Sequence, residues 1–343
     1  LDYFTIANLY QPCASLAPAA AGSPGAAFVS AALATNRCAS LKAKGLITGD
    51  TVTDQANDAL NKLIAAGWES DSIPFQASHY AFATLSVALT YANAFTQSSV
   101  KDNLCGYSFG ATPVGGVPGT LSATAAAQIF GTGNGVPPTS GINILNNNSV
   151  GGTAVDAASV SPSTGLADFN IDGAVCLRNL WTGSDALAVK ARANVEATKR
   201  SGNLHGKPAI IVHGRSDTLV PINNTSRPYY ALNKTVDSAS QLSYYEVTNA
   251  QHFDAFIDNA ALPGYDSRLV PLHRYFLQAM DLVYANLKNG TPLPPSQVVR
   301  TTPRGGTPGA APAITAANVP AISASPTAGN QITFSGNTLT IPE

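Results

Sequence analysis

The sequence predicts an α/β fold, and three observations carry the prediction. Residues 208–213 (Pro-Ala-Ile-Ile-Val-His) form a short β-branched run bounded by Lys207 and Gly214, the composition of a buried central strand. A second strand pattern, QLSYYEV at 241–247, comes after a helical stretch with a polar start at 224–236. A long helical pattern at 271–287 closes the series. Strand, helix, strand, helix is the order of a parallel sheet flanked by helices.

Upstream, residues 1–100 read mainly as helix. The clearest case is 51–66, where Ala56, Leu60, Leu63 and Ile64 recur at helical spacing and Thr53 or Asp54 can cap the start. Residues 26–41 and 81–95 are further helices, the latter rich in small residues. From about 105 to 167 the chain turns to Gly, Pro, Ser, Thr and Asn, in runs such as GATPVGGVPGT. Little regular structure is expected there beyond a short helix at 122–130. Long ordered loops of this type are usually lids or surface excursions. The organisation predicted is therefore a largely helical, loop-rich lid or cap over 1–165, an α/β core over 166–290 with a further helix at 186–200, and an extended Pro/Thr/Gly-rich tail over 291–343. The tail's end, 331–341, alternates like an edge hairpin with Gly336-Asn337 at its turn.

Hydrophobic residues make up 45% of the 343, enough for a sizeable core. Charged residues make up 11%, against roughly 25% in an average globular domain. Such a neutral, hydrogen-bonding surface fits a secreted bacterial protein better than a cytosolic one. The formal net charge is -1 with no basic stripe, so nucleic-acid binding has no electrostatic support. No apolar run approaches the ~20 residues of a membrane span. Cys13, Cys38, Cys105 and Cys176 form no C-x-x-C motif and fit two disulfides, in any of three pairings. The chain opens Leu1-Asp2-Tyr3-Phe4, with neither initiator Met nor signal peptide, and reads as a processed or partial polypeptide.

The strongest chemical signal is IIVHGRSDTLVP at 210–221. A strand ends at His213, a Gly turn comes next, and Asp217 is presented just beyond the strand's C-terminal edge, where open α/β sheets place their chemistry. The bland role for Asp217 is to stabilise its own turn. The chain downstream favours catalysis. The second strand ends at Val247, and Asn249-Ala-Gln-His252 comes after it, with His252 35 residues beyond Asp217. Acid then base, on loops after successive strands, is the order of an α/β-hydrolase triad. A buried carboxylate fixes the tautomer of a neutral imidazole, and the imidazole takes the nucleophile's proton. Asp217 and His252 are the candidate catalytic residues. His213 is expected to pack or hydrogen-bond at the strand end, His79 and His273 to lie in or near helices, and His205 in a turn. Asp254 lies too close to His252 to be its expected orienter. No metal-site spacing is present, and no cofactor or metal is expected.

The nucleophile is harder to place. Gly106-Tyr107-Ser108-Phe109-Gly110 matches G-x-S-x-G, but its flanks are polar before and rich in Pro and Gly after. A nucleophile elbow needs a buried strand before it and a helix after it. Ser108 therefore reads as a loop serine. The chain has the last strands, the acid and the base, and lacks the early strands and an elbow. It reads as the C-terminal part of an α/β-hydrolase sheet.

LDYFTIANLYQPC at 1–13, HGRSDTLVP at 213–221 and NAQHFDAF at 249–256 resemble the D-(-)-3-hydroxybutyrate oligomer hydrolases, bacterial enzymes of poly(3-hydroxybutyrate) breakdown. The resemblance implies a secreted or periplasmic serine esterase that cuts short 3-hydroxybutyrate esters to monomers. It implies that Asp217 and His252 are acid and base. It also implies a partner, the N-terminal half of the same hydrolase, bearing the serine upstream of Leu1. The region 1–165 would be a lid shaping the acyl pocket. Competing expectations are a tannase- or feruloyl-esterase-like enzyme of the same fold, and a non-catalytic binding module derived from one.

Overall fold

The computed structural model describes residues 1–113, 116–130 and 142–343. In chain order the helices begin with α1 (Asp2–Ala14), α2 (Ala31–Ala43), α3 (Val52–Ala65), α4 (Gln76–His79), α5 (Leu85–Thr96) and α6 (Ala123–Phe130). They continue with α7 (Ile171–Thr182), α8 (Ala186–Ala197), α9 (Ser226–Val236), α10 (Tyr265–Arg268) and α11 (His273–Asn289). The strands are β1 (Tyr107–Ala111), β2 (Ile142–Asn146), β3 (Ala209–Gly214), β4 (Leu242–Val247), β5 (Gln297–Val299), β6 (Thr333–Ser335) and β7 (Thr338–Thr340). Helices with small sheets give an α/β protein. Two compact units are present: Leu1–Ala21, Ala27–Leu63 and Tyr80–Lys199 form one, and Gly22–Ala26, Ile64–His79 and Arg200–Glu343 form the other.

The first unit is mainly helical. Helix α3 buries Ala56, Ala59, Leu60 and Leu63 on one face. Its start is held by a reciprocal pair: the Asp54 carboxylate accepts from Thr51 N–H and O–H at 3.1 and 2.7 Å, and Thr51 Oγ1 accepts from Asp54 N–H at 3.1 Å. That is a capping box with Thr51 as the cap and Asp54 as its partner, where the sequence predicts Thr53 or Asp54 as the cap. A disulfide joins Cys13 of α1 to Cys38 of α2, and another joins Cys105, just before β1, to Cys176 of α7. The Arg37 side chain is wholly buried. Its guanidinium donates to the carbonyls of Asp168 (2.7 Å), Asn8 (3.1 Å), Leu9 (2.9 Å) and Phe169, so four of its five N–H groups are engaged by backbone.

The glycine-rich stretch holds more order than its composition predicts. β1 and β2 pair antiparallel, with Ser108 opposite Leu145. The short helix expected at 122–130 is α6. Part of the run GATPVGGVPGT, at 114–115, lies outside the described residues, as does Gly141 at the head of GINILNNNSVGG.

The second unit is built on a three-stranded parallel sheet in the order β3-β4-β5. Successive side chains of a strand point to opposite faces. Tyr245 and Val247 of β4 therefore join Ile210, Val212, Val299 and Tyr275 of α11 in one core. Tyr244 and Leu242 join Ala209, Ile211, Val298 and Tyr230 of α9 in the other. With apolar residues on both faces, β4 is buried along its whole length, as the middle strand of a parallel sheet must be. Strand β5 lies within the segment expected to be an extended tail; three residues suffice to extend the sheet, too few to leave a pattern in the sequence. The hairpin read from the C-terminal residues is present as β6–β7. Gly336 and Asn337 at its turn both adopt positive φ, 54° and 63°, which a two-residue turn of this hand requires.

Candidate active site

The turns after β3 and β4 are fastened to each other before any side chain enters. Arg215 N–H donates to Val247 O at 2.8 Å, and Ser216 N–H to Ala250 O at 2.9 Å. Gly214 permits this approach, since a Cβ there would stand 2.4 Å from the Ala250 carbonyl oxygen. Asp217 and His252 lie just past these bonds, at the C-terminal edge of the sheet.

His252 Nδ1 lies 2.9 Å from Asp217 Oδ2. The other oxygen, Oδ1, accepts backbone N–H groups from Leu219 and Val220 at 2.9 and 3.0 Å. The carboxylate side chain is 3% exposed. Burial pushes its pKa up, but hydrogen bonds and charge from His213 and His252 outweigh that and hold it below the usual carboxylate range. An ionised carboxylate only accepts, so the proton on His252 sits on Nδ1. Nε2 is then the nitrogen that can take a proton from a nucleophile, and the side chain is 34% exposed.

A second imidazole shares the carboxylate. His213 Nε2 lies 3.1 Å from the same Oδ2. Its Nδ1 faces Ser226 Oγ at 2.7 Å, Ser226 O–H donates to the Tyr244 oxygen at 3.0 Å, and Tyr244 O–H donates to Glu246 Oε2 at 2.8 Å. Glu246 is fully buried and also accepts from Arg215 Nε and from Arg227 Nε (2.9 Å) and Nη2 (2.8 Å). Burial raises the Glu246 pKa, but the Arg227 hydrogen bond and the charges of Arg215 and Arg227 bring it below the ordinary value. The dyad therefore stands on a buried polar chain that ends in an ion pair.

His79, buried at the end of α4, has its pKa lowered to about 4, chiefly by burial; the Asp217 charge opposes this and His252 adds to it. His213 hydrogen-bonds at the strand end and His79 lies in a helix, as the sequence predicts, but the contact of His213 with Asp217 was not legible there. The strand-end position of His213, four residues before an Asp, was the one signal available. Asp254 accepts N–H groups from Leu272 and His273 at 2.8 and 2.7 Å, so it caps α11 instead of orienting His252. His273 stacks on Phe276, and His205 sits in a turn at positive φ. Ser108 lies within β1 in an antiparallel ladder, not at a strand-to-helix turn, and its O–H donates to Asn147 Oδ1 at 2.9 Å. Among the described residues, no group of three or more His, Cys, Asp or Glu is placed to hold a metal, and no helix is long and apolar enough to cross a membrane.

A groove of about 720 Å³ runs from His252 and Phe253 along Ile210 and Val212 to Phe276 and Met280 of α11. Fold and site together define an α/β protein that presents a carboxylate–imidazole pair at the rim of a parallel sheet, beside an apolar groove. The chain belongs to the 3HB-oligomer hydrolase family, whose model matches residues 1–343. It is 57% identical over 343 residues to a D-(-)-3-hydroxybutyrate oligomer hydrolase of Azoarcus sp. (strain BH72), covering 100% of this chain and 49% of the relative. Relatives with the same name from Polaromonas naphthalenivorans (strain CJ2) and Ralstonia pickettii are 58% and 51% identical over 350 and 349 residues. Those matches cover 100% and 99% of this chain, and 48% and 47% of the relatives. The chain thus spans about half the length of the curated relatives it matches. No solved structure matches it.

Proposed function

We propose that this chain supplies the acid and base of a serine-type carboxylic ester hydrolase that cleaves short 3-hydroxybutyrate oligomers to monomers, outside the cell or in the periplasm. The observation that carries the proposal is the His252 Nδ1–Asp217 Oδ2 hydrogen bond at the sheet's C-terminal rim. It leaves Nε2 as the basic atom on a partly exposed ring. The family and its relatives' names supply the substrate class. The two disulfides suit an oxidising compartment.

In the proposed reaction, a serine from polypeptide outside these 343 residues attacks the ester carbonyl while His252 Nε2 takes its proton. Asp217 stabilises the imidazolium, which then protonates the alkoxide oxygen as the ester C–O bond breaks, releasing the first 3-hydroxybutyrate as its alcohol. His252 next deprotonates a water that cleaves the acyl-enzyme and releases the second product.

The test is hydrolysis of the 3-hydroxybutyrate dimer by the complete polypeptide, with labelling by a fluorophosphonate. Labelling of a serine outside residues 1–343, lost activity in Asp217→Asn and His252→Ala, and preference for the dimer over aryl esters are the expected results. Labelling at Ser108 would overturn the division of the triad. Preference for aryl esters would point to a tannase- or feruloyl-esterase-like enzyme, and no labelling with no turnover to a binding module.

A further inference from the structure

We infer that the open edge of β3 and the outer face of α11 form one docking surface, and that its occupant is a β-strand with an adjoining helix from the polypeptide outside residues 1–343. The strand would run parallel to β3.

Among the described residues β3 pairs with β4 alone, so its far side presents a row of backbone N–H and C=O groups. The side chains match an interior strand. Ala209, Ile210, Ile211 and Val212 put apolar groups on both faces, yet they are only partly buried, whereas β4 is buried throughout. Strands with two apolar faces belong inside a parallel sheet, and native edges are normally blunted by charge, proline or bulges. None of these devices interrupts Ala209–Gly214.

Helix α11 repeats the same imbalance. It packs Tyr275 and Leu282 on the sheet. A second apolar stripe, Phe276, Met280, Val283 and Leu287, recurs at helical spacing. Phe276, Met280 and Leu287 of that stripe are 49%, 56% and 69% exposed. Phe276, Met280 and Val283 line the groove together with Ile210, Ile211 and Val212, so strand edge and helix face are one continuous surface. An added strand would close the edge while a helix beside it covers the stripe.

The length of the relatives identifies the occupant. Residues matching this chain make up 49% and 48% of two of them, leaving a comparable length of polypeptide to complete the sheet. The groove reaches His252, so a strand added to β3 would end near the imidazole. For that catalytic consequence the inference rests on the proposed nucleophile assignment; the docking itself does not.

Hydrogen exchange and thermal unfolding test the docking without reference to activity. In the complete polypeptide, the amides of 209–213 should exchange as slowly as those of β4, and at least 10-fold more slowly than in the 343-residue chain. The double variant Phe276→Glu, Met280→Glu should leave the melting temperature of the 343-residue chain unchanged and lower that of the complete polypeptide by several degrees. Equal exchange in both forms would overturn the inference. So would protection in the 343-residue chain that grows with concentration, because the occupant would then be a second copy. Protected β3 amides with no serine labelled outside the chain would retain the docking and remove the nucleophile assignment. The reverse pattern would do the opposite.

Discussion

His213 and His252 share one oxygen of Asp217, His213 Nε2 at 3.1 Å and His252 Nδ1 at 2.9 Å. With Oδ1 engaged by two backbone amides, the carboxylate is fixed on every side and cannot rotate away from His252. His213 is thus a positioning residue for the proposed acid. In the complete enzyme, His213→Ala should lower kcat roughly 10-fold, the order of one hydrogen bond, and leave KM nearly unchanged. His213→Gln, whose amide can still donate to Asp217, should recover much of the loss. Equal kcat in wild type and His213→Ala would remove this role.

Gly214 sets the distance between the two turns that carry Asp217 and His252. Gly214→Ala places a methyl against the Ala250 carbonyl and must part the Arg215–Val247 and Ser216–Ala250 bonds. Dimer hydrolysis should fall by 10-fold or more, about 1.4 kcal/mol, while secondary structure by circular dichroism is retained. Unchanged turnover would show that the turns tolerate separation.

What the sequence makes legible here is whatever is local and periodic. The β-branched run at 210–212 and the strand pattern at 241–247 announce β3 and β4, and with them the strand ends that carry Asp217 and His252. Gly336-Asn337 announces the β6–β7 turn because so few residue pairs accept two positive φ angles. Features set by the tertiary fold leave no such trace. β1 and β2 are hidden in glycine-rich sequence. His213 reaches Asp217 only because the chain turns at Gly214. The G-x-S-x-G match at Ser108 shows the converse: a local motif without its strand-and-helix setting fixes nothing.

Glu246 faces two guanidinium groups, and removing its charge leaves the buried Arg215 without a counterion and Arg227 with Glu69 alone. Glu246→Gln should destabilise the protein by about 3–5 kcal/mol, the usual cost of breaking a buried pair by removing one partner. Chemical denaturation followed by tyrosine fluorescence measures this. Loss of the anion also disturbs Tyr244 and Ser226, so the His213 contact should loosen. If stability moved by less than 1 kcal/mol, about a fivefold change in the folded ratio, the chain behind the dyad would carry little energy.

Asp156 in the first unit predicts a pH dependence of the opposite kind. Burial raises its pKa to about 7, against the lowering effects of the Asn170 hydrogen bond (2.9 Å) and the Arg37 charge. The folded protein then keeps a proton that the unfolded chain releases above its ordinary pKa of 3.8. Stability falls as pH rises from about 4 to about 7 and levels off beyond, a loss on the order of a few kcal/mol. Asp217 and Glu246, whose pKa values are depressed, act in a separate window: their contribution is present above the unfolded value and is lost only as pH falls below it. Asp156→Asn keeps the side chain's size and an oxygen to accept from Asn170, and it removes the titration. Relative to wild type, the variant should melt within about a degree at pH 4 and several degrees higher at pH 8, since 1 kcal/mol shifts Tm by a few degrees in a chain of this size. Thermal scans at the two pH values decide it. Parallel behaviour of the two proteins across that range would mean that Asp156 is ionised in the folded state, its charge carried by Arg37 and Asn170.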